Sequence, residues 1–425
     1  MGTSDPVLRT LGDDAEDVRE WLRAAAAGFL QPAVSEDELR TRAGAVDPER
    51  TQGAYADGRC VATCRTFAQR LTLPGGRDVP CSAVTHVTVT ATHRRRGLMS
   101  AMLRRALRAA KERGEVCASL IAAEYPIYGR HGFGPATRAT DFRVDLTRAG
   151  LDRAGLDRTR ATGPEAGHVE LVAPEELRTV GPPLHQRFRA LPTSAGAIDR
   201  STRWWLAHTG GLRYPGDERP DLFHAVYRDR DGTAQGIASY RHDRRWANSL
   251  PAGTLHVDEL TAVTAEAELA LWHYLLSVDW TVTVCADRRA PDDVLPLLLP
   301  DPRAARINRH HDLLWLRPLD VPALLSARDY RTAGNLVLEV HDEAGLAGGR
   351  YALDAVGAQG ARCEPTTLTA DLTLGVSELG SLCLGEESAG RLLRLGRLDE
   401  HRPGAADHAD LLLRTDRRPW CQDMF

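Results

Sequence analysis

Residues 84–91 read Val-Thr-His-Val-Thr-Val-Thr-Ala, residues 92–99 read Thr-His-Arg-Arg-Arg-Gly-Leu-Met, and a helical run continues to Lys111. This is a strand, a basic turn closed by glycine, and a helix, an order that suits a pyrophosphate. The start of a helix presents N–H groups without intrahelical partners and a partial positive charge. Gly97 lets the backbone come close and take a positive φ, while Arg94, Arg95 and Arg96 add charge around the turn. The same arginine run is also the composition of a solvated surface turn. A Walker-type phosphate loop is excluded because no Gly-x-x-x-x-Gly-Lys-Ser/Thr occurs, and a Rossmann fingerprint needs three glycines where this turn has one. Val87 and Val89 fall on one face of the strand, and Met99, Met102, Leu103, Ala106 and Ala110 on one helical stripe. That stripe would pack the helix on a sheet and hold its open end still.

The turn also resembles a known signature. Arg94 and Gly97 match the Gln/Arg-x-x-Gly-x-Gly/Ala pattern of the GNAT superfamily of N-acetyltransferases, with Met99 where Gly or Ala is usual. Thr-His-Arg-Arg-Arg-Gly-Leu, followed by Ile127-Tyr-Gly-Arg-His-Gly-Phe-Gly-Pro-Ala-Thr137, resembles one subfamily closely, the "enhanced intracellular survival" (Eis) acetyltransferases. These acetylate aminoglycosides at several amines, and the similarity runs down to the terminal Phe. The resemblance implies an α/β (α+β) fold of three parts. Residues 1–155 would be a GNAT domain that binds acetyl-CoA and carries catalysis. Residues 156–307 would be a second, degenerate GNAT-like domain, and residues 308–425 a domain similar to sterol carrier proteins.

Acyl transfer from a thioester to an amine needs a held donor, a deprotonated amine, a stabilised oxyanion and a protonated leaving thiolate. The donor is assigned to Val87, Thr88 and Val89 and to Arg95, Arg96, Gly97, Leu98, Met99 and Ser100, with Arg94 at the edge. Main chain on the Val87 strand would pair with pantetheine amides as an added strand does, and the N–H of Val87 or Val89 would meet the oxyanion. By resemblance, Ala123 and Glu124 also line the cofactor site. Tyr128 is the candidate general acid: a phenol of pKa ~10 can serve a thiolate whose pKa is ~8.5. Tyr125 competes with it, but Tyr128 is the position the motif aligns. The glycines around Tyr128 suit a tight turn near bound cofactor.

The base implied by the resemblance is the terminal α-carboxylate, here that of Phe425. The tail Pro419-Trp-Cys-Gln-Asp-Met-Phe425 has the apolar composition of an anchored end. A cationic, polyamine-like acceptor calls for carboxylates, and Glu124, Asp423 and the terminus are candidates. Met424 stands where relatives often carry an acid. The stretch Phe29 to Glu36 is expected to line the acceptor site. Two alternatives remain: a protein or peptide lysine acetyltransferase, and a non-catalytic carrier or binding protein built on the third domain.

Composition bounds the rest. At 425 residues the chain exceeds one ordinary core, and 43% hydrophobic with 26% charged residues is a globular composition. A net charge of −4 implies no broad nucleic-acid footprint. Lys111 is the only lysine among 54 basic residues, which reads as the base-composition bias of a GC-rich bacterium. The eight cysteines are scattered with no Cys-x-x-Cys pair, so neither a metal site nor a disulfide framework is expected. No apolar run approaches ~20 residues and the acidic N-terminus has no signal core, so a cytoplasmic protein without a membrane span is expected. A homo-oligomer, a hexamer as in relatives, is carried over from the resemblance alone.

The elements that must position these residues follow from periodicity. Asp17–Phe29 and Leu98–Arg113 read as helices, and Arg59–Leu71, Ser82–Thr90, Val116–Ala122 and Asp141–Leu146 as strands. The polar stretch Thr147–Glu165 marks the first boundary. His168–Val172 reads as a strand, with helices around Val180–Ala190 and Trp204–Trp205. Leu255–Val263 and Ala265–Leu276 repeat the strand-turn-helix order, but Thr264-Ala-Glu-Ala267 has neither the arginines nor the glycine. Beyond Asn308, strands are expected at Leu313–Leu316, Asn335–His341, Gly349–Asp354 and Arg362–Thr366. Leu368–Leu374 then leads to a helix at Val376–Cys383.

Overall fold

The structure is a computed structural model describing residues 5–12, 14–151, 167–213 and 221–425; most of the expected boundary stretch, 152–165, lies outside them. The chain begins with β1 (Val7–Thr10), α1 (Ala15–Gly28), α2 (Glu36–Ala43), β2 (Thr51–Ala56), β3 (Arg59–Thr72) and β4 (Asp78–Val89). There follow α3 (Leu98–Glu112), β5 (Cys117–Ile121), α4 (Tyr125–Tyr128), β6 (Gly134–Pro135) and β7 (Arg138–Asp145). Local chemistry accounts for the two long helices. The Asp14 side chain caps α1 by accepting from the Glu16 N–H, and Val18, Trp21, Leu22 and Ala25 bury one face. In α3 the buried stripe is Met102, Leu103, Ala106, Leu107 and Ala110. Met99, expected on that stripe, is half-exposed in the first turn.

The middle of the chain forms β8 (His168–Val172), α5 (Pro174–Arg189), α6 (Thr202–His208), β9 (Phe223–Arg228) and β10 (Ala234–Asp243). A two-strand ribbon, β11 (Trp246–Ala247) with β12 (Leu250–Pro251), leads to β13 (Gly253–Ala262), α7 (Ala265–Ser277), β14 (Thr281–Arg289), β15 (Ala305–Asp312) and β16 (Leu314–Pro318). The last part contains α8 (Val321–Ala327), β17 (Ala333–His341), β18 (Gly349–Val356), β19 (Ala361–Pro365), β20 (Leu372–Gly375), α9 (Val376–Leu382), α10 (Ala389–Arg394), β21 (Leu398–Glu400) and α11 (Ala405–Leu413).

Two seven-stranded sheets and one five-stranded sheet result, and the first two exchange strands. The first sheet runs β1-β2-β3-β4-β5-β16-β6 and the second β15-β7-β14-β13-β10-β9-β8. Thus β16, expected in the third part, pairs antiparallel with β5 and β6 in the first sheet. Conversely β7, expected in the first part, lies between β14 and β15 in the second. The sheets therefore do not follow the linear divisions at residues 155 and 307. Alternation reveals that a segment is a strand but not which edge it joins. Strands β1, β2, β6, β9 to β12, β14, β15 and β21 lie beyond those expected from the sequence.

The third sheet, β19-β18-β17-β20-β21, shares a core with the first. Leu71, Val79, Leu314 and Leu316 pack in one cluster with Leu336, Leu353, Leu379 and Leu412. Buried Arg317 of β16 reinforces the joint, donating to Asp342 at 2.8 Å and to the His131 carbonyl at 2.9 Å. No helix among the described residues is long and apolar enough to cross a membrane.

The first and second units are tied by the segment before α6. His185 of α5 donates from Nε2 to the Ile198 carbonyl at 2.8 Å, and Ile198 bridges to Leu71 of β3. Burial, then the Arg200 charge, push the His185 imidazole down to about 3. Its unfolded value is ~6.5, so between these limits the unfolded chain binds a proton that the folded chain refuses. The His185 contribution is complete above pH ~6.5 and falls by about 2–3 kcal/mol at pH ~4.5. Urea titrations at these two pH values should show a smaller acid loss, by that amount, in His185→Gln, which keeps an N–H donor.

Candidate active site

The strand-turn-helix of the sequence encloses a cavity of about 430 Å³. Two irregularities of β4 open it. First, Thr63 pairs with Thr88 and Arg65 with Thr85, so His86 and Val87 together oppose Cys64. This bulge holds His86 at φ +52°, and the Thr63 hydroxyl fixes it by donating to the His86 carbonyl at 2.8 Å. Second, β4 and β5 pair in parallel only from Cys81↔Cys117 to Ala83↔Ser119. Beyond Ala83 the strands part, and main chain at Val87 to Val89 faces the gap. The end of α1 covers the other side so closely that a Cβ on Gly28 would stand 2.3 Å from the Thr88 hydroxyl oxygen.

The N-terminus of α3 faces the same cavity. Gly97 adopts φ +74° at the N-cap position, and no side chain caps the helix. Its first-turn N–H groups are therefore directed toward whatever the cavity takes up. Arg94 and Arg95 line the cavity with Gly97, Leu98, Met99 and Ser100. Arg95 itself lies at φ +62°, and its neighbour Arg96 is not among the lining residues. All three arginines are exposed.

Tyr128 closes the far wall at the end of α4 and is 9% exposed. Burial, then the neighbouring Cys64 and Glu124, push its phenol up to about 12, so it remains protonated at any physiological pH. Tyr125 is 54% exposed, its ring packs edge-on against Trp315 at 4.7 Å, and it does not line the cavity. Gly132, at φ +80°, closes the tight turn expected after Tyr128. A Cβ on Gly134 would lie 1.9 Å from the Ser377 carbonyl of α9, and Gly132 abuts Val376 and Arg317. These two glycines also permit close approach of the third domain.

The C-terminal tail reaches the first sheet from the second. The Phe425 ring meets Phe67 of β3 edge-on at 5.6 Å. Phe67 is registered with Ala83, the residue at which β4 and β5 part. Phe425 is not among the cavity walls. Asp423, a candidate acid for a cationic acceptor, is buried and accepts from Arg200 Nε at 3.0 Å, so its charge is already matched. Met424 is 52% exposed beside a second cavity of about 380 Å³ whose walls carry both arginines and acids.

The structure thus brings Val87, Thr88, Val89, Arg94, Arg95, Gly97, Leu98, Met99, Ser100, Ala123, Glu124 and Tyr128 around one cavity, and leaves Arg96 and Phe425 outside it. Of the stretch expected to line the acceptor side, Phe29 does so, joined by Gly28, His93 and Ile127. His86 escaped sequence reasoning, since a histidine within an alternating strand gives no sign of a bulge. Its ring lies 5.7 Å from Trp21 and 6.0 Å from Phe29. Burial, then the Arg65 and Arg42 charges, push it down to about 4, leaving a neutral imidazole.

Comparison with known proteins agrees with this architecture. Residues 9–136 and 196–318 each match the description "Acetyltransferase (GNAT) domain", and residues 321–422 match "Sterol carrier protein domain". The chain is 52% identical over 412 residues, 96% of each chain, to an uncharacterized N-acetyltransferase of Streptomyces avermitilis. It is 37% identical over 353 residues, 81% of each chain, to the N-acetyltransferase Eis of Mycobacterium tuberculosis. The crystal structure of Eis1 from Mycobacterium abscessus superposes with a TM-score of 0.81 at 30% identity, covering 99% of this chain and all of that one. An α/β chain of two acetyltransferase folds and a sterol-carrier-like domain, with its strand-turn-helix cavity intact in the first, belongs to the Eis family of GNAT N-acetyltransferases.

Proposed function

We propose that this enzyme transfers acetyl groups from acetyl-CoA to several amines of aminoglycoside-like polyamines. The observation that carries the reading is the cavity where the gap beside β4, the uncapped start of α3 and buried Tyr128 converge. In this reading the pyrophosphate takes the first-turn N–H groups of α3 together with Arg94 and Arg95, and the pantetheine amides pair along Val87 to Val89.

Chemistry then proceeds in one direction across the gap. The Phe425 α-carboxylate takes a proton from the acceptor ammonium, directly or through water. The freed amine attacks the thioester carbonyl, and a main-chain N–H of Val87 or Val89 holds the oxyanion. The C–N bond forms, the C–S bond breaks, and Tyr128 gives its hydroxyl proton to the departing sulfur to release the thiol, while the extra proton shed by the attacking nitrogen restores the phenol. A phenol pushed up to about 12 is by itself a poor acid toward a thiolate of pKa ~8.5, so the more acidic proton of the attacking nitrogen drives the transfer.

One observation favours a second base. Neutral His86 lies on the β4 bulge one residue before Val87 and against Phe29, a wall of the cavity. Transfer to protein or peptide lysines remains the alternative acceptor class, because matched Asp423 removes one of the carboxylates a polyamine would use. The homohexamer and the cytoplasmic location belong to the same family-based reading. Mass photometry should give about six times the 46.5 kDa chain.

Thiol release from acetyl-CoA with kanamycin, neomycin and a lysine peptide tests acceptor and base together. The native chain should turn over the aminoglycosides, and a chain extended by two residues after Phe425 should lose at least tenfold in kcat while still binding acetyl-CoA. An extended chain of full activity, with His86→Phe inactive, would move the base to His86. Peptide turnover alone would reject the polyamine acceptor. Tyr128→Phe should lower kcat by ~10²–10⁴ with the acetyl-CoA KM within about threefold. Calorimetry should show Arg94→Ala and Arg95→Ala each weakening acetyl-CoA binding by ~5–10-fold, as expected for a lost charge-assisted contact, and Arg96→Ala by less than ~2-fold.

A further inference from the structure

The second acetyltransferase unit repeats the parting of strands seen in the first. Parallel pairing of β13 with β14 runs from Gly253↔Thr281 to Val257↔Ala286 and stops. In the first unit the corresponding gap is the cavity. In the second the end of the chain lies across it and, with Asp258, Glu259 and Arg288, walls the second cavity. The Trp420 N–H donates to the Ala195 carbonyl at 2.8 Å, and its Nε1 donates to the Arg288 carbonyl at 2.7 Å. Arg288 Nε donates to the Gln422 carbonyl at 3.1 Å, and Gln422 Nε2 donates to the Thr261 hydroxyl at 2.8 Å. The tail is thus bonded to β13 on one side and to β14 on the other, as a ligand in that gap would be.

Beside this gap lies a buried ionic cluster that the acyl-transfer steps do not use. Arg200, with its side chain 1% exposed, donates from Nε to both oxygens of Asp423 at 3.0 and 3.2 Å and from Nη1 to Glu259. His208 Nε2 lies 3.0 Å from the other Glu259 oxygen and hydrogen-bonds the Ser239 hydroxyl at 3.0 Å. The Trp204 ring lies 3.8 Å from the guanidinium carbon and stacks on His208 at 4.6 Å. A guanidinium so far from water is retained only where its partners and geometry compensate the lost hydration. Here the partners come from the tail and from β13, and the main chain leading to Arg200 is fastened to β3 of the first unit through Ile198 and Asp199.

Asp423 stands two residues before the chain end, and two residues span at most ~7 Å. A clamp at Asp423 therefore limits where the terminal carboxylate can go, whereas an unheld chain end would sample many positions. We propose that the second unit has become the holder of the tail, and that Arg200, through Asp423, is the positioning residue for the Phe425 carboxylate. The proposal rests on the reading of that carboxylate as the base. It assigns the degenerate domain a part in the reaction without a cofactor of its own.

The test uses the full chain and two readouts, one of them independent of activity. Asp423→Ala leaves the Arg200–Glu259 pair intact and is the main variant; Asp423→Asn keeps one acceptor for Arg200. Carboxypeptidase A release of phenylalanine reports whether the end is held. Asp423→Ala should release Phe425 at least tenfold faster and lose at least tenfold in kcat, with the acetyl-CoA KM within twofold. Asp423→Asn should fall between it and the native chain. In a chain extended by two glycines, Asp423→Ala should lower kcat no further. If the extended chain is inactive but Asp423→Ala changes neither release nor kcat, the clamp is overturned while the base reading stands. If release quickens while both Asp423→Ala and the extended chain turn over normally, the base reading fails and the positioning role falls with it. An additional tenfold loss from Asp423→Ala in the extended background would place the effect elsewhere and overturn the proposal.

Discussion

A strand pair that parts within a sheet leaves main-chain N–H and C=O groups facing a gap, and buried groups of that kind must find partners. This constraint recurs in both acetyltransferase units. In the first, β4 leaves β5 after Ala83, and the bulge at His86 and Val87 turns the strand toward the gap. In the second, β13 leaves β14 after Val257. One gap opens on a cavity flanked by a helix start and two arginines; the other is bridged by residues 420–422, which bond to Arg288 of β14 and to the Thr261 hydroxyl of β13. The same local geometry thus borders a cavity in both units, but in the second the chain's own end, Gln422 to Met424, forms part of the wall.

The exchange of β7 and β16 makes these units inseparable. Strand β16 carries Trp315 and Arg317 into the first sheet, where Arg317 ties the Tyr128–Phe133 segment to Asp342 of the third domain. Gly132 and Gly134 allow α9 to sit directly on that segment. The wall of the cavity that holds Tyr128 is therefore set by three domains. Misplacing any one by an ångström would move the phenol relative to the Val87 main chain, and acyl transfer depends on that kind of positioning. A tail that must travel from the third domain across the second to the first requires this rigid framework.

Electrostatics is arranged to the same end. Arginines at the mouth of the cavity are exposed, where their charge is available to an incoming anion. Within the protein, charges are paired before any ligand arrives: Arg200 with Glu259 and Asp423, Arg317 with Asp342, Arg289 with Asp293. Burial would raise Glu259, yet Arg200 and His208 outweigh it and keep the carboxylate lowered and charged. Tyr128 and His86 are the contrary case, both held neutral by burial, one on the cavity wall and the other against Phe29 of that wall.

The sequence by itself determined the local pieces. Thr92 to Met99 specified a basic turn with glycine at the N-cap, and the spacing of Met102, Leu103, Ala106 and Ala110 specified the buried face of the helix behind it, because both depend on residues a few positions apart. The family resemblance, carried by the same turn and by Ile127 to Thr137, identified the fold of all three domains. Only the tertiary structure decided which sheets β7 and β16 join, since their partners lie more than a hundred residues away and alternation is blind to them. It decided as well that Arg94 and Arg95 line the cavity while Arg96 does not. It set Gly132 and Gly134 against α9, and gave Asp423 to Arg200. Each of these depends on which surface another part of the chain presents, and one-dimensional spacing carries no record of that.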